Sequence, residues 1–121
     1  MALKLTRREQ EGVSILQLMG RLTFGPEEIL LNDEIRRAVA TRRNRLVIDL
    51  GGVDRIDSAG LGTLLYARSE LRRAGGGLAL AHLHPSHRKA IRVAGLESAF
   101  DSFDAEREAI DSFALDAETV H

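Results

Sequence analysis

Cysteine and tryptophan are absent from this chain of 121 residues, and aromatic residues make up only 4% of it. Without cysteine there can be neither a disulfide framework nor a thiolate metal site. So few aromatic side chains argue against a platform for stacking nucleic-acid bases. Lys and Arg (17) nearly balance Asp and Glu (18), and the net charge of -1 argues against a nucleic-acid binder that relies on basic charge.

Long apolar runs are also missing. None approaches the roughly 20 residues that a membrane helix needs. Residues 1–10 contain no apolar stretch of the signal-peptide type. We therefore expect a cytoplasmic protein without direct membrane insertion, folded as one domain over residues 1–121 with an ordered core at about residues 3–115.

The hydrophobic pattern predicts a single α/β domain. Strands 3–8 and 13–22 are expected to pair around a turn at Glu11-Gly12, and the broken alternation in the second indicates burial on both faces or a bulge. A strand, a helix and a strand then follow within about forty residues, which predicts a right-handed βαβ unit. The sheet should therefore be mixed, antiparallel at its start and parallel in its centre, with about four helices. The remaining predicted elements are a helix opened by Gly25-Pro26, a strand at 46–50, a loop at 51–57, a helix at about 58–74, a strand at 78–83, a short helix from Pro85 to about Ala94, a short strand at 99–103 and a last helix.

The strand at 46–50 is uninterrupted by polar residues except Asp49, which is typical of a strand buried on both faces. We expect it to be central in the sheet, with Val47 and Ile48 on opposite faces. The segment that follows it leads from the carboxyl end of a buried parallel strand into a helix, which is where open α/β sheets place their sites.

Ser58 stands at the predicted start of that helix, where backbone N–H groups are unpaired and the helix dipole is positive. Taken alone, Ser58 is best interpreted as an N-cap, with Asp57 as a competing cap. Gly60 and Gly62 each cost about 1 kcal/mol of helix propensity in the first turns. They are explained if something outside the domain must approach a bare backbone there.

Enzyme functions are poorly supported. Residues 60–65 lack the third glycine of a dinucleotide loop, and no Gly-Lys-Ser/Thr phosphate loop is present. A nucleophile elbow requires glycine two residues before the serine, where this chain has Ile56. A Ser58 nucleophile would also need a histidine base from among His82, His84 and His87.

Those three histidines raise the alternative of a metal site, because His82 and His84 are expected to share one strand face. No fourth ligand is evident nearby, so loop or surface histidines are the favoured interpretation. Asp49 and Asp54 could form a carboxylate pair. We favour instead that Asp49 accepts backbone hydrogen bonds that fix the loop before Ser58.

Phosphorylation of Ser58 is physically coherent. A phosphate at a helix N-terminus adds about -1.5 to -2 charges where the dipole tolerates them. It would deepen a negative patch formed with Asp54 and Asp57, and would repel a partner packed on the glycines and Leu61. This interpretation requires an accessible Ser58 and predicts a partly exposed Leu61.

The segment Asp57-Ser58-Ala59-Gly60-Leu61-Gly62, with the buried strand at 46–50, Val53 and Ile56 before it, resembles the STAS domain of bacterial anti-sigma factor antagonists. The resemblance extends from about Leu3 to Leu115. Supporting matches are Val13-x-Ile15-x-x-Leu18-x-Gly20-x-Leu22, Gly77-Leu78-Ala79-Leu80 and Ala94-Gly95-Leu96-x-x-x-Phe100.

The resemblance implies a regulatory binding protein rather than an enzyme, without a cofactor or metal. It implies that the unphosphorylated protein binds an anti-sigma factor, a serine kinase of the histidine-kinase-like ATPase type, and so releases a sigma factor. The kinase would inactivate it by phosphorylating Ser58, and a 2C-type phosphatase would restore it. Asp49 would support the loop, and the partner-binding residues implied are Thr23, Asp54, Asp57, Ala59, Gly60, Leu61 and Gly62.

The sequence departs from the family pattern at Thr23, where antagonists often carry an acidic residue beside the switch serine. Either its hydroxyl serves the same loop or regulation differs. STAS domains are also non-phosphorylated scaffolds in stressosome-type complexes and subunits of lipid-transporting ABC systems. In that alternative, Ser58 would be a cap only.

Overall fold

The computed structural model describes residues 3–119, and the side chains of residues 3–114. It contains one five-stranded sheet in the order β1-β2-β3-β4-β5, in which β1 and β2 are antiparallel and the other neighbours are parallel. The predicted mixed α/β sheet is therefore confirmed. The end of the ordered core at about residue 115 stays a prediction, because side chains from that point lie outside the described ones. The elements are β1 (Lys4–Gln10), β2 (Val13–Leu22), α1 (Pro26–Ala40), β3 (Arg45–Ile56), α2 (Ser58–Arg73), β4 (Gly77–Ala81), α3 (Pro85–Val93), a 3-10 turn (Glu97–Ala99), β5 (Asp101–Phe103) and α4 (Glu106–Thr119).

Local sequence explains how the first elements form. Glu11 and Gly12 both have positive φ (54° and 79°), the backbone of a two-residue hairpin turn between β1 and β2. Pro26 at the first position of α1 and Glu27 in its first turn suit the positive end of that helix. Strand β2 is buried on both faces only over residues 13–16, and from Gln17 onward buried and exposed residues alternate. Its register against β3 shifts twice, between Gln17 and Met19 and between Gly20 and Arg21, which is the irregularity that its sequence allowed.

The core has two parts, one on each face of the sheet. Val47 and Ile48 lie on opposite faces of central β3, as predicted, and both are fully buried. Helices α1, α2 and α3 pack on the face that carries Ile48, and α4 covers the face that carries Val47. None of the helices in the described part of the chain has both the length and the hydrophobicity to cross a membrane.

Two strand boundaries differ from the prediction, and both shape the site. Residues 51–56, expected as a loop, continue β3 because they pair with the long strand β2 as far as Leu22 and Ile56. Strand β4 ends at Ala81, and His82 turns out of it with φ 56°. The expectation that His82 and His84 share one strand face is therefore wrong, because both residues lie beyond the end of β4.

Candidate functional site

Ser58 is the first residue of α2, at the carboxyl edge of the parallel strands, and its side chain is exposed. The helix starts at the predicted position, but Ser58 is not its cap. Asp57 has the extended backbone of an N-cap residue, and its Oδ1 accepts a hydrogen bond from the Gly60 N–H at 2.9 Å. Asp57 therefore caps the helix, and the Ser58 hydroxyl makes no hydrogen bond to any described residue. This leaves the hydroxyl available at the surface.

Asp57 also fastens α2 to the end of β2. Its Oδ2 accepts a hydrogen bond from the backbone N–H of Phe24 at 3.0 Å, across the loop between β2 and α1. That bond, together with those from the Gly60 and Ala59 amides, holds the pKa of Asp57 below its ordinary value. Asp57 is therefore a fixed negative charge directly beside Ser58.

Gly60 has an internal explanation. A Cβ atom there would lie 2.1 Å from the backbone oxygen of Leu22, so α2 can approach β2 only with glycine at this position. The sequence had suggested that an outside partner requires glycine at position 60. The close contact with Leu22 inside the domain is the reason instead. Gly62 is different, because it is exposed and a Cβ there would meet no atom of the described residues within 4 Å.

Leu61 is only 6% exposed, so the expectation of a partly exposed Leu61 is wrong. It packs in the core with Leu64 on the buried face of α2, and helical periodicity commits both to that face. The exposed apolar side chains near Ser58 are instead Phe24 (77% exposed), whose N–H binds Asp57, and Val93 (79% exposed) on α3.

A groove between the first turn of α2 and helix α3 runs past Ser58. We call it the Ser58 groove; its volume is about 420 Å³. Its walls are mainly apolar, and Lys89 is the cation among the side chains that line it. The lining residues are Ile56, Asp57, Ser58, Leu61, Ser86, Lys89, Ala90, Val93 and Ala94.

The remaining predicted surface residues lie on the loop after β2, on β3 and on α2. Thr23 is half-buried in the loop whose next residue, Phe24, binds Asp57. Asp54 is exposed near the end of β3, and Ala59 is half-buried in the first turn of α2. Of these residues, Thr23 is connected to the start of α2 through the Phe24–Asp57 hydrogen bond and Ala59 directly follows Ser58, while a partner-binding role for all three stays a prediction.

Asp49 lies on the other face of β3, buried beneath α4. Its Oδ1 accepts the Gly51 N–H at 2.8 Å, as predicted, and its Oδ2 accepts a hydrogen bond from His82 Nδ1 at 2.9 Å. Burial raises the pKa of Asp49, but hydrogen bonds from Glu106, Gly51 and His82 outweigh it and leave the pKa below its ordinary value. The hydrogen bond with Asp49, followed by burial, raises the pKa of Glu106 above its ordinary value, although Arg8 opposes the shift.

This arrangement bears on two alternatives raised by the sequence, a carboxylate pair of Asp49 with Asp54 and a metal site formed by the three histidines. Asp49 faces His82 and Glu106 rather than forming a pair with Asp54. Ligand atoms of Asp49, His82 and Glu106 lie within 4.8 Å of one another, a spacing that could hold a cation. However, Arg8 already pairs with Glu106, and both Asp49 oxygens accept hydrogen bonds. A cation would have to displace these partners.

The other two histidines bind the backbone of β3. His84 Nε2 donates to the oxygen of Gly51 at 2.7 Å, and His87 Nε2 donates to the oxygen of Val53 at 2.8 Å. His87 is buried, and its Nδ1 accepts the His84 N–H at 3.1 Å. The three histidines are therefore used separately, to hold the end of β3 in place.

A comparison with known families settles what kind of domain carries these features. The family model described as "STAS domain" matches residues 4–109. The chain belongs to the STAS domain family. Among curated relatives, BtrV of Bordetella bronchiseptica, which carries the name of an anti-sigma factor antagonist, is 35% identical over 98 residues, covering 81% of this chain and 84% of BtrV.

Solved STAS structures share the fold. A Thermotoga maritima protein described as an anti-sigma factor antagonist superposes with a TM-score of 0.84 at 19% identity, over 91% of this chain and 94% of that one. The unphosphorylated anti-sigma factor antagonist SpoIIAA superposes with a TM-score of 0.70 at 23% identity, over 92% and 96% of the two chains. SpoIIAA, a Bacillus cell fate determinant, has also been solved in its phosphorylated form, with a TM-score of 0.68.

The buried His87 is expected to make the stability of this STAS domain depend on pH. Burial lowers the pKa of His87, although its bond to Val53 opposes the shift. The folded domain therefore takes up this proton less readily than the unfolded chain, whose histidine pKa is about 6.5. The contribution of His87 to the free energy of unfolding is therefore fully present above about pH 6.5, and it decreases as the pH falls below that value.

The test is urea unfolding between about pH 7.5 and 5 of the wild type and His87→Gln. Gln can still donate to Val53 but leaves the His84 N–H without its acceptor, so at neutral pH we expect a loss of about 1–3 kcal/mol. The decrease in stability below about pH 6.5 should be smaller in the variant. The same pH dependence in both proteins would contradict the assignment.

Proposed function

We propose that this STAS domain is an anti-sigma factor antagonist controlled at Ser58. The unphosphorylated protein binds an anti-sigma factor that is a serine kinase of the histidine-kinase-like ATPase type, and thereby releases a sigma factor. The observation that carries the proposal is the exposed Ser58 hydroxyl at the start of α2, in a helix whose cap is provided by Asp57. A hydroxyl that is not used for capping can accept a phosphoryl group without a loss of helix structure.

The reaction itself would be catalysed by the partner. The Ser58 oxygen attacks the γ-phosphorus of ATP, the bond between that phosphorus and the ADP oxygen breaks, and the hydroxyl proton passes to a base of the kinase. This domain contributes an accessible nucleophile and a docking surface. A 2C-type phosphatase would reverse the change by hydrolysing the phosphoserine.

Charge supplies the switch. Phosphorylation would add about -1.5 to -2 charges beside Asp57, which is already ionised. Before phosphorylation, the surface next to Ser58 is the mainly apolar Ser58 groove with Val93 at its wall and Phe24 exposed nearby. A partner that buries those apolar side chains would have to bury the phosphate with them, which is costly without matching cations.

The proposal predicts a single phosphorylation site. After incubation with the cognate kinase and ATP, intact mass should increase by one phosphoryl group in the wild type and not in Ser58→Ala. Ser86→Ala is the matched control, because Ser86 is exposed and lines the same groove. It should be modified as the wild type is. Modification of Ser58→Ala to the wild-type extent would overturn the proposal.

A further inference from the structure

A second pocket lies at the opposite edge of the sheet from Ser58. Arg45 at the start of β3, Gly77 at the start of β4 and Asp101 at the start of β5 all line it, so it is at the amino-terminal edge of the parallel strands. Its volume is about 210 Å³. Arg68 and Arg72, one turn apart near the end of α2, complete its basic wall.

The three arginines differ from most of the arginines of this chain. Others pair with a carboxylate, for example Arg43 with Glu9 at 2.8 Å and Arg88 with Asp104 at 2.9 Å. Among the described side chains, neither an ion pair nor a hydrogen bond engages Arg45, Arg68 or Arg72. Among the described residues that line the pocket, three guanidinium groups face one carboxylate, that of Asp101, which gives two net positive charges.

The remaining walls of the pocket carry few side chains that could fill it. Residues 75–77 are all glycine and contribute backbone without side chains. Gly75 has a φ of +88°, and a Cβ at Gly76 would lie 1.9 Å from the backbone oxygen of Asn44, so this turn cannot readily carry larger residues. Phe113 of α4 is an apolar member of the pocket lining.

From this arrangement we propose that the pocket binds a small, soluble phosphate-bearing anion. Guanidinium groups bind phosphate oxygens through paired charged hydrogen bonds, and arginine is better suited than lysine to that geometry. Two net positive charges suit a dianion, and Phe113 provides contact for an organic part of the ligand. The proposal is independent of Ser58 and of its phosphorylation.

The test is calorimetric titration of the full chain with pyrophosphate. We expect Arg45→Gln, Arg68→Gln and Arg72→Gln each to weaken binding about tenfold or more, the size of one charged hydrogen bond. Arg92→Gln is the matched control, since this exposed arginine has no ion pair with a described residue and lies outside the pocket. Its affinity should stay within about twofold of the wild type, because Arg92 is not among the residues that line the pocket and an exposed charge outside it is screened by salt.

Asp101→Asn should act in the opposite direction and tighten binding several-fold, because it removes the carboxylate that faces the anion. Thermal unfolding of each variant checks that it remains folded. Absence of pyrophosphate binding by the wild type, or an equal loss in Arg92→Gln and the pocket variants, would overturn the proposal.

Vesicles of phosphatidylcholine with and without phosphatidic acid provide a second experiment, which distinguishes a soluble ligand from a lipid headgroup. Binding only to phosphatidic acid vesicles would assign the pocket to a lipid headgroup and overturn the soluble-ligand proposal.

Discussion

Ser58→Asp is expected to lower the affinity for the anti-sigma factor about a hundredfold or more, while Ser58→Ala binds as the unmodified wild type does. Aspartate places a second negative charge next to the ionised Asp57, at the edge of the Ser58 groove. A like charge at an interface can cost several kcal/mol, which corresponds to this loss of affinity. Alanine removes the phosphate acceptor but leaves the charge of the surface unchanged, so its complex should persist in the presence of ATP.

Stability should change little in either variant, because Asp57 rather than Ser58 caps the helix. Thermal unfolding should place both within about 0.5 kcal/mol of the wild type. Calorimetric titration with the kinase then measures binding alone. Ser69→Asp is the matched control, since it adds the same charge at an exposed position of α2 away from the groove. Equal affinities for the wild type, Ser58→Ala and Ser58→Asp would contradict the switch and favour a scaffold subunit.

Gly60→Ala is expected to destabilise the domain by about 3 kcal/mol, at the upper end of the usual cost of overpacking. The added methyl group would meet the backbone oxygen of Leu22 at 2.1 Å, and a backbone atom cannot move aside as a flexible side chain can. Relief of the clash would have to separate α2 from the end of β2, which also weakens the Asp57 bond to Phe24. Urea unfolding gives the free energy.

Gly62→Ala, two residues further along the same helix, provides the contrast. A Cβ there meets no atom of the described part of the chain within 4 Å, so the greater helix propensity of alanine should stabilise the domain by about 0.5–1 kcal/mol. Similar effects of the two substitutions would show that the contact with Leu22 is not what requires glycine at position 60.

The sequence predicted the order of the elements well, because hydrophobic periodicity and turn residues are local signals. The continuous apolar run around Val47 and Ile48 identified the central strand, and Pro26 identified the start of α1. The strand ends were predicted less well. Whether residues 51–56 form a loop or a strand depends on pairing with the distant strand β2, which no local pattern reveals.

The candidate site shows the same division. Ser58 was identified from its position between a buried strand and a helix, but choosing Asp57 as the cap required side-chain geometry. The burial of Leu61 could have been inferred from its spacing with Leu64, which places both on the core face. Glu106 was missed as the partner of Asp49, because the two residues are far apart in sequence and only the packing of α4 brings them together.

The histidine contacts with β3 have a consequence for self-association. β4 pairs with β3 only as far as Asp49 and Ala81, so within residues 3–119 no strand lies beside the later part of β3 on that side. His84 and His87 bind the backbone oxygens of Gly51 and Val53 in this unpaired stretch. An open strand edge is a template for pairing with another chain. By occupying these two acceptors, the imidazoles close the edge to an incoming strand and protect the domain from edge-to-edge aggregation.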